Sequence, residues 1–154
     1  MSAEASAIDL RTVWGDFIDD VGKRKGGWDW YATLTFRDRT DEEVRSGWTK
    51  VGLGYSRRAC DAFLRVLGDL KGLGTHHWFR AREFQHDRGV PHYHLLIGGV
   101  DTLRRDEAWK WWFDQFGFAR ILPYEARKGA RFYLCKYVTK ELGYFEFSDN
   151  LVLP

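Results

Sequence analysis

The sequence predicts one α+β domain, with helices packed on a central five-stranded antiparallel sheet. Five short stretches rich in β-branched and aromatic residues alternate with stretches of helical periodicity. Two of the strand-like stretches are separated only by a short turn-like sequence, which predicts a hairpin. The chain has 154 residues, of which 44% are hydrophobic. This is enough for one hydrophobic core, so we expect residues 1–154 to form a single domain.

The first half of the chain contains two helical and two strand-like patterns. Apolar residues at helical spacing end at Gly22 and predict an N-terminal helix, and Thr40 or Asp41 offers an N-cap for a long helical stretch. The predicted elements are helix 6–22, strand 28–36 (WDWYATLTF), a helix with its clearest part at 55–70, and strand 76–84 (HHWFRAREF).

The second half continues the alternation. HDRG at 86–89 is typical of a turn, and Gly98, Gly117 and Gly143 each follow a periodic stretch and predict its end. The predicted elements are strand 92–97, helix 103–116, strand 118–124, helix 130–142 and strand 144–148.

The order of the central elements predicts the topology. Residues 28–124 read β-α-β-β-α-β, the split β-α-β order of ferredoxin-like and RRM-like sheets. Strands 1 and 3 are then central, and strands 2 and 3 form the hairpin. Residues 1–22 form a helical extension to a core of residues 28–148.

Charge and cysteine content restrict the function classes. The net charge is only +2, but residues 1–20 hold five acids and one base, which leaves a basic body suited to a polyanionic partner. Cys60 and Cys135 lie outside any metal-binding spacing, which is typical of a reduced intracellular protein. No apolar run is long enough to span a membrane. We therefore expect a cytoplasmic protein without a membrane partner.

The stretch GVPHYHLLIGG carries two histidines at the head of an apolar strand. Alternate strand residues share a face, so His92 and His94 point the same way, about 7 Å apart along the chain. If the hairpin centres on residues 87 and 88, Glu83 lies directly opposite His92. Two imidazoles and a carboxylate predict a metal site that suits Mg²⁺ or Mn²⁺, although Zn²⁺ or Ni²⁺ could bind as strongly.

Two alternatives to this metal site remain open at the level of the sequence. A register slip of one residue would move Glu83 to the other face and bring Arg82 into its place. The histidines could also be half-buried strand residues that only form hydrogen bonds.

The stretch YLCKYVTK at 133–140 repeats Tyr-x-x-Lys twice. Tyr133 and Tyr137 are four residues apart and share a helix face, and Lys136 and Lys140 follow them by three. Nearby ammonium groups favour the phenolate and can hold a phosphate, which suits a tyrosine nucleophile. Packing of the tyrosines in the core, with solvated lysines, is the alternative.

Three motifs together resemble the HUH superfamily of rolling-circle replication initiators, the Rep endonucleases. PHYHLLI resembles the His-hydrophobic-His motif, YATLTF the first motif of these proteins, and YLCKYVTK the tyrosine motif. Their order is that of Rep proteins, and relaxases reverse it. The paired tyrosines and GFARILPY look most like microvirus, phage or plasmid initiators. The resemblance covers about residues 28–140.

The resemblance implies a complete activity. Glu83, His92 and His94 would hold Mg²⁺ or Mn²⁺, Tyr133 and Tyr137 would be nucleophiles, and the lysines would contact phosphate. The protein would nick and join single-stranded origin DNA, which can carry a hairpin, through a 5′-phosphotyrosine. The chain lacks a Walker A motif, so a helicase would be supplied by the host or by a fused domain.

Further residues are candidates for binding the DNA. A groove for single strands combines cations with exposed aromatic rings. Among the tryptophans of helix 103–116, Trp109 and Trp112 are expected in the core and Trp111 at the surface. The basic candidates are Arg37, Arg39, Arg80, Arg82, Arg127, Lys128 and Arg131.

Two other functions fit parts of the sequence. One is an HUH tyrosine transposase, which shares the motif order and acts on hairpin-flanked DNA. The other is a ferredoxin-like nucleic-acid-binding module without catalysis. No RRM-type signature occurs in the third strand, which argues against the second.

Overall fold

The fold was analysed in a computed structural model that describes residues 3–71, 75–84, 89–139 and 144–152. Within these ranges the side chains of residues 3–10, 71, 135–139 and 152 are not described. The helices are α1 (Ala3–Lys23), α2 (Asp41–Arg45), α3 (Leu53–Lys71), α4 (Arg105–Gln115), α5 (Gly129–Thr139) and α6 (Asp149–Val152). The strands are β1 (Trp30–Leu34), β2 (His77–Phe84), β3 (Pro91–Gly98), β4 (Ala119–Pro123) and β5 (Phe145–Phe147).

The five strands form one antiparallel sheet in the order β4-β1-β3-β2-β5. The first four positions are the ferredoxin-like order, and β5 adds an edge beside β2. The predicted α+β class, the central position of β1 and β3, and the β2–β3 hairpin are confirmed.

Helices cover both faces of the sheet. On one face, here called the α1/α5 face, Ile18 of α1 and Leu134 of α5 pack against Phe79 and Leu96 of the sheet. On the other, the α3/α4 face, Phe63 of α3 and Trp112 of α4 belong to the larger core cluster. Strand β3 is buried along its whole length, which explains its unbroken apolar run LLIGG.

Several element boundaries differ from the predictions. The stretch between β1 and β2 forms a short α2 and a long α3, because Gly47 adopts a positive φ of 94° and ends the first helix. Thr40 is the N-cap, and with Glu43 it forms a capping box. Helix α6 was not predicted. The predicted turn at 86–89 falls largely on residues 85–88, which lie outside the described residues.

The prediction for the tryptophans of α4 is partly wrong. Trp112 is fully buried as expected, and its Nε1 donates to the Thr35 carbonyl at 2.9 Å. Trp109, expected in the core, is 38% exposed, whereas Trp111 packs against the core cluster. The reason is that α4 lies at the sheet edge, where Trp109 covers β4 and donates from Nε1 to the Ala119 carbonyl at 2.8 Å.

No helix in the described part of the chain is long and apolar enough to cross a membrane.

Candidate active site

Glu83, His92 and His94 form a compact group on the α1/α5 face. Strands β2 and β3 pair Glu83 directly with His92, the register that the sequence predicted. Glu83 Oε2 lies 3.0 Å from His92 Nε2 and 3.3 Å from His94 Nε2. The ligand atoms of the three side chains all lie within 4.8 Å of one another. Both imidazoles thus meet on one carboxylate oxygen.

The group is sheltered but open on one side. His92 is 9% exposed and His94 is 4% exposed, while the Glu83 side chain retains 21% of its exposure. The two rings are 4.8 Å apart and nearly perpendicular, at 83°. Two imidazole nitrogens and a carboxylate oxygen are a donor set that fits a divalent cation, and the exposed side leaves room for water or substrate.

His94 is held from behind by two hydroxyls of β1. Its Nδ1 lies 3.0 Å from the Tyr31 hydroxyl and 3.3 Å from the Thr33 hydroxyl. The Tyr31 ring is stacked on His94, with an interplanar angle of 12°. A neutral imidazole that binds a cation through Nε2 carries its proton on Nδ1 and donates it to an acceptor. Tyr31 and Thr33 therefore orient the ring and select the tautomer that a metal ligand needs.

Sequence reasoning did not assign Tyr31 and Thr33 to the site. The strand alternation in YATLTF places both on one face. Which face and which partner depend on the β1–β3 register, which pairs Thr33 with His94 across 61 residues of chain. No local pattern fixes a pairing of that sequence separation.

Tyr133 of α5 packs on the same face as the metal group. Its ring centroid lies 4.9 Å from that of Tyr31 and 5.0 Å from that of Tyr124. Its hydroxyl accepts a hydrogen bond from the Glu125 main-chain NH at 3.0 Å. Tyr133 thus forms an aromatic layer that joins α5 to the strand behind His94.

The start of α5 is anchored by α1. Both carboxylate oxygens of Asp19 accept from the Ala130 NH, at 3.2 and 3.0 Å. The Tyr124 hydroxyl donates to Asp19 Oδ1 at 2.6 Å. Burial, together with this bond to a carboxylate, raises the pKa of Tyr124, so its hydroxyl remains a donor. A carboxylate at a helix N-terminus is favourable, and here it fixes the helix that bears the tyrosines.

The second half of the tyrosine motif is only partly described. Lys136 and Tyr137 lie within α5, but their side chains fall outside the described residues, and Lys140 lies outside them entirely. Tyr137 is one turn after Tyr133, about 6 Å further along the helix axis.

Two of the predicted DNA-binding arginines lie on the opposite face. Arg80 is 1% exposed, and its guanidinium bonds Asp61 and Glu146 at 2.6 Å each. This burial is incompatible with the predicted contact between Arg80 and DNA. Arg82 points to the same α3/α4 face, with its guanidinium 4.1 Å from the centroid of the Tyr144 ring.

The other predicted basic residues are at the surface or near it. Arg37 and Arg39 follow β1 and both contact Glu43. Arg127 and Lys128 precede α5 and contact Glu125. Arg131 lies in the first turn of α5, and its guanidinium lies 3.4 Å from the Thr12 hydroxyl. The structure therefore separates these candidates into a group after β1 and a group at the start of α5.

Comparison with known families identifies the chain. The family model of the ORF2-type replication-associated proteins matches residues 29–142, more than two thirds of the 154 residues. Comparisons with curated proteins and with solved structures give no significant match. The matched segment runs from just before β1 to just after α5, so it includes Glu83, His92, His94 and the tyrosine motif. This chain belongs to the family of ORF2-type replication-associated proteins.

Proposed function

We propose that this protein nicks and joins single-stranded DNA at a replication origin, in a metal-dependent reaction that initiates rolling-circle replication. The single observation that carries the proposal is the sheltered group of Glu83, His92 and His94 on the sheet face that also packs α5. Membership of a replication-associated family supports the same role.

The metal in this proposal is Mg²⁺ or Mn²⁺, held by Glu83, His92 and His94. A bound divalent cation polarises a phosphodiester and offsets the negative charge that develops on it. The chain's own contribution is to hold three ligands on two paired strands and to fix His94 through Tyr31 and Thr33. Such outer contacts raise the basicity of the ligand and keep its geometry.

We propose Tyr137 as the first nucleophile and Tyr133 as a residue that positions the helix. The support is that the Tyr133 hydroxyl already accepts from the Glu125 NH and its ring is enclosed by Tyr31 and Tyr124. In the reaction, the Tyr137 oxygen bonds to phosphorus and the bond from phosphorus to the 3′ oxygen breaks. The phenolic proton passes through solvent to that oxygen, leaving a 5′-phosphotyrosine and a free 3′-hydroxyl.

The basic residues near α5 complete the proposal. Lys136 and Lys140 would favour the phenolate and contact the phosphate, since an ammonium stabilises both charges. Arg127, Lys128 and Arg131, with Arg37 and Arg39, are proposed to bind the DNA backbone around the site. A helicase, either fused or recruited from the host, would unwind the origin.

The tyrosine assignment is tested by adduct formation. Protein is incubated with labelled single-stranded oligonucleotides that tile a candidate origin, in the presence of Mn²⁺, and covalent adducts are mapped by mass spectrometry. We expect Tyr137→Phe to abolish the adduct, because no other phenol can replace it in the first cleavage. Tyr133→Phe retains the ring layer and should still form the adduct.

Two results would contradict these assignments. An adduct on Tyr133 in the wild-type protein would reverse the roles of the two tyrosines. The absence of any adduct across the tiled origin, in a protein that binds Mn²⁺, would overturn the nicking activity itself.

The role of Tyr31 in orienting His94 gives a separate prediction. Tyr31→Phe keeps the stacked ring but removes the hydroxyl that lies 3.0 Å from Nδ1. Loss of such an outer contact lowers metal affinity about 10- to 100-fold. We expect this loss in a calorimetric titration with Mn²⁺.

The matched control is Tyr124→Phe, which removes a hydroxyl from the same aromatic layer but not from a metal ligand. It should lower stability and leave Mn²⁺ affinity unchanged. Equal affinities for Tyr31→Phe and wild type would show that this hydroxyl does not orient the ligand.

A further inference from the structure

Two exposed side chains at the edge strand β4 share rows of the sheet with the metal-bearing face. Arg120 pairs with Thr33, and Thr33 pairs with His94. Beyond the last pair, the Thr35 NH and hydroxyl both donate to the Phe118 carbonyl, at 2.9 and 2.8 Å. Directly opposed residues share a face, so Arg120 belongs to the α1/α5 face, and strand alternation places Phe118 there as well. Two strand spacings separate Arg120 from His94, about 10 Å.

Neither side chain serves the core. Phe118 is 66% exposed, the most exposed large hydrophobic side chain in the described part of the chain. Arg120 is exposed, and within the described ranges it forms no ion pair. A solvent-facing ring beside a solvent-facing guanidinium is the combination that binds single-stranded nucleic acid.

The aromatic surface continues around the sheet edge. Phe118 lies 5.9 Å from Phe113, and Phe113 is stacked on Trp109 at 4.9 Å with an interplanar angle of 12°. Phe113 is 44% exposed and Trp109 is 38% exposed. Three exposed rings thus lead from the metal-bearing face onto α4.

The same edge is blocked against pairing with another β-strand. The Ala119 carbonyl accepts from Trp109 Nε1 at 2.8 Å, and the Ile121 carbonyl accepts from the Arg105 guanidinium at 3.2 Å. A sheet edge extends only through unpaired main-chain groups, and these two are occupied. The surface therefore suits a ligand that stacks on rings and pairs with a cation, rather than a strand of a protein partner.

We propose that Phe118 and Arg120 form a track for the single strand that enters the active site. Arg120 binds a backbone phosphate, and Phe118 stacks a base; about 10 Å corresponds to about three stacked nucleotides from the site of cleavage. The inference rests on the proposed function, because it names a part of the surface that holds its substrate.

Binding in the absence of metal tests the track separately from catalysis. Fluorescence anisotropy with labelled (dT)20 and a mixed-sequence 20-mer is recorded in EDTA over a range of salt concentrations. We expect Phe118→Ala to weaken binding about tenfold without changing the salt dependence, since stacking is not ionic. Arg120→Gln should reduce the slope of log K against log salt by about 0.7, the value for one phosphate contact on a single strand. Arg120→Lys should retain that slope.

The matched controls carry the same side chains elsewhere. Phe17→Ala removes an exposed ring that packs on Phe147 at the opposite sheet edge, and Arg65→Gln removes an exposed guanidinium on α3. Both should bind DNA like the wild type. Circular dichroism establishes that each variant is folded, as the exposure of the substituted residues leads us to expect.

The outcomes distinguish the two proposals. If the wild type binds the oligonucleotides and the Phe118 and Arg120 variants bind as tightly as the controls, the track is overturned and the nicking activity stands. If Phe118→Ala changes the oligomeric state but not DNA binding, the surface is a contact between copies of the chain and the track is again overturned. If the wild type binds no single strand, the proposed function fails, and the track fails with it.

Discussion

Replacing Glu83 with glutamine is expected to abolish metal-dependent cleavage and to weaken Mn²⁺ binding by more than about 100-fold. Loss of an outer contact costs a metal site about 10- to 100-fold in affinity, and Glu83 is itself a proposed ligand. Its Oε2 is also the one atom that both imidazole Nε2 atoms approach, at 3.0 and 3.3 Å. The amide keeps the size of the side chain but removes the charge that balances the cation.

Two measurements check this expectation without DNA. Calorimetric titration with Mn²⁺ gives the affinity directly. Thermal unfolding gives it indirectly, because a ligand at about 100 times its Kd stabilises the folded state by about 2.7 kcal/mol. Mn²⁺ should raise the melting temperature of the wild type and leave that of Glu83→Gln unchanged.

Glu107→Gln is the matched control, since Glu107 is an exposed carboxylate on α4, away from the three ligands. It should bind Mn²⁺ as the wild type does. If Glu83→Gln retained wild-type affinity and cleavage, the group of Glu83, His92 and His94 would not be the metal site.

The metal group is the part of the site that sequence reasoning could predict, because all of its contacts are local. His92 and His94 share a face by strand alternation, and Glu83 reaches them through a hairpin whose register depends only on the position of the turn. The predicted pairing of residues 83 and 92 required no information from the rest of the chain.

The remainder of the site depends on contacts distant in sequence. Tyr31 and Thr33 approach His94 through the β1–β3 register, and Arg120 joins that row through β4. Arg80 shows the opposite error, because a basic residue in a strand was interpreted as a DNA contact although its acidic partners come from α3 and β5. Burial of a charged residue is decided by partners that local sequence does not identify.

The second large expected effect concerns this buried arginine, which connects β2 to the segment that follows the tyrosine helix. The Arg80 side chain is 2% exposed and bonds Asp61 of α3 and Glu146 of β5. Its guanidinium lies 4.8 Å from the centroid of the Trp78 ring. Burial also raises the pKa of the neighbouring Cys60 thiol to about 12, so no thiolate is available there as a partner. The arginine charge therefore depends on its two carboxylates.

Glu146→Ala should destabilise the fold by about 3 kcal/mol, because removal of one partner leaves a buried charge poorly compensated. Arg80→Met should cost less, since it removes the buried charge itself, and the two acids it frees keep 42% and 26% of their side-chain exposure. Urea unfolding measures both. Asp114→Ala, which breaks the exposed Lys110–Asp114 pair, is the control and should change stability by less than about 1 kcal/mol.

The order of these two effects decides what holds the chain after α5. If Arg80→Met proved as costly as Glu146→Ala, the arginine would stabilise through its packing on Trp78 as much as through its charge. Below the unfolding transition, both variants should bind Mn²⁺ like the wild type, because Arg80 and Glu83 lie on opposite faces of β2. Loss of Mn²⁺ binding in folded Glu146→Ala would instead mean that β5 holds β2 in the geometry that the metal ligands require.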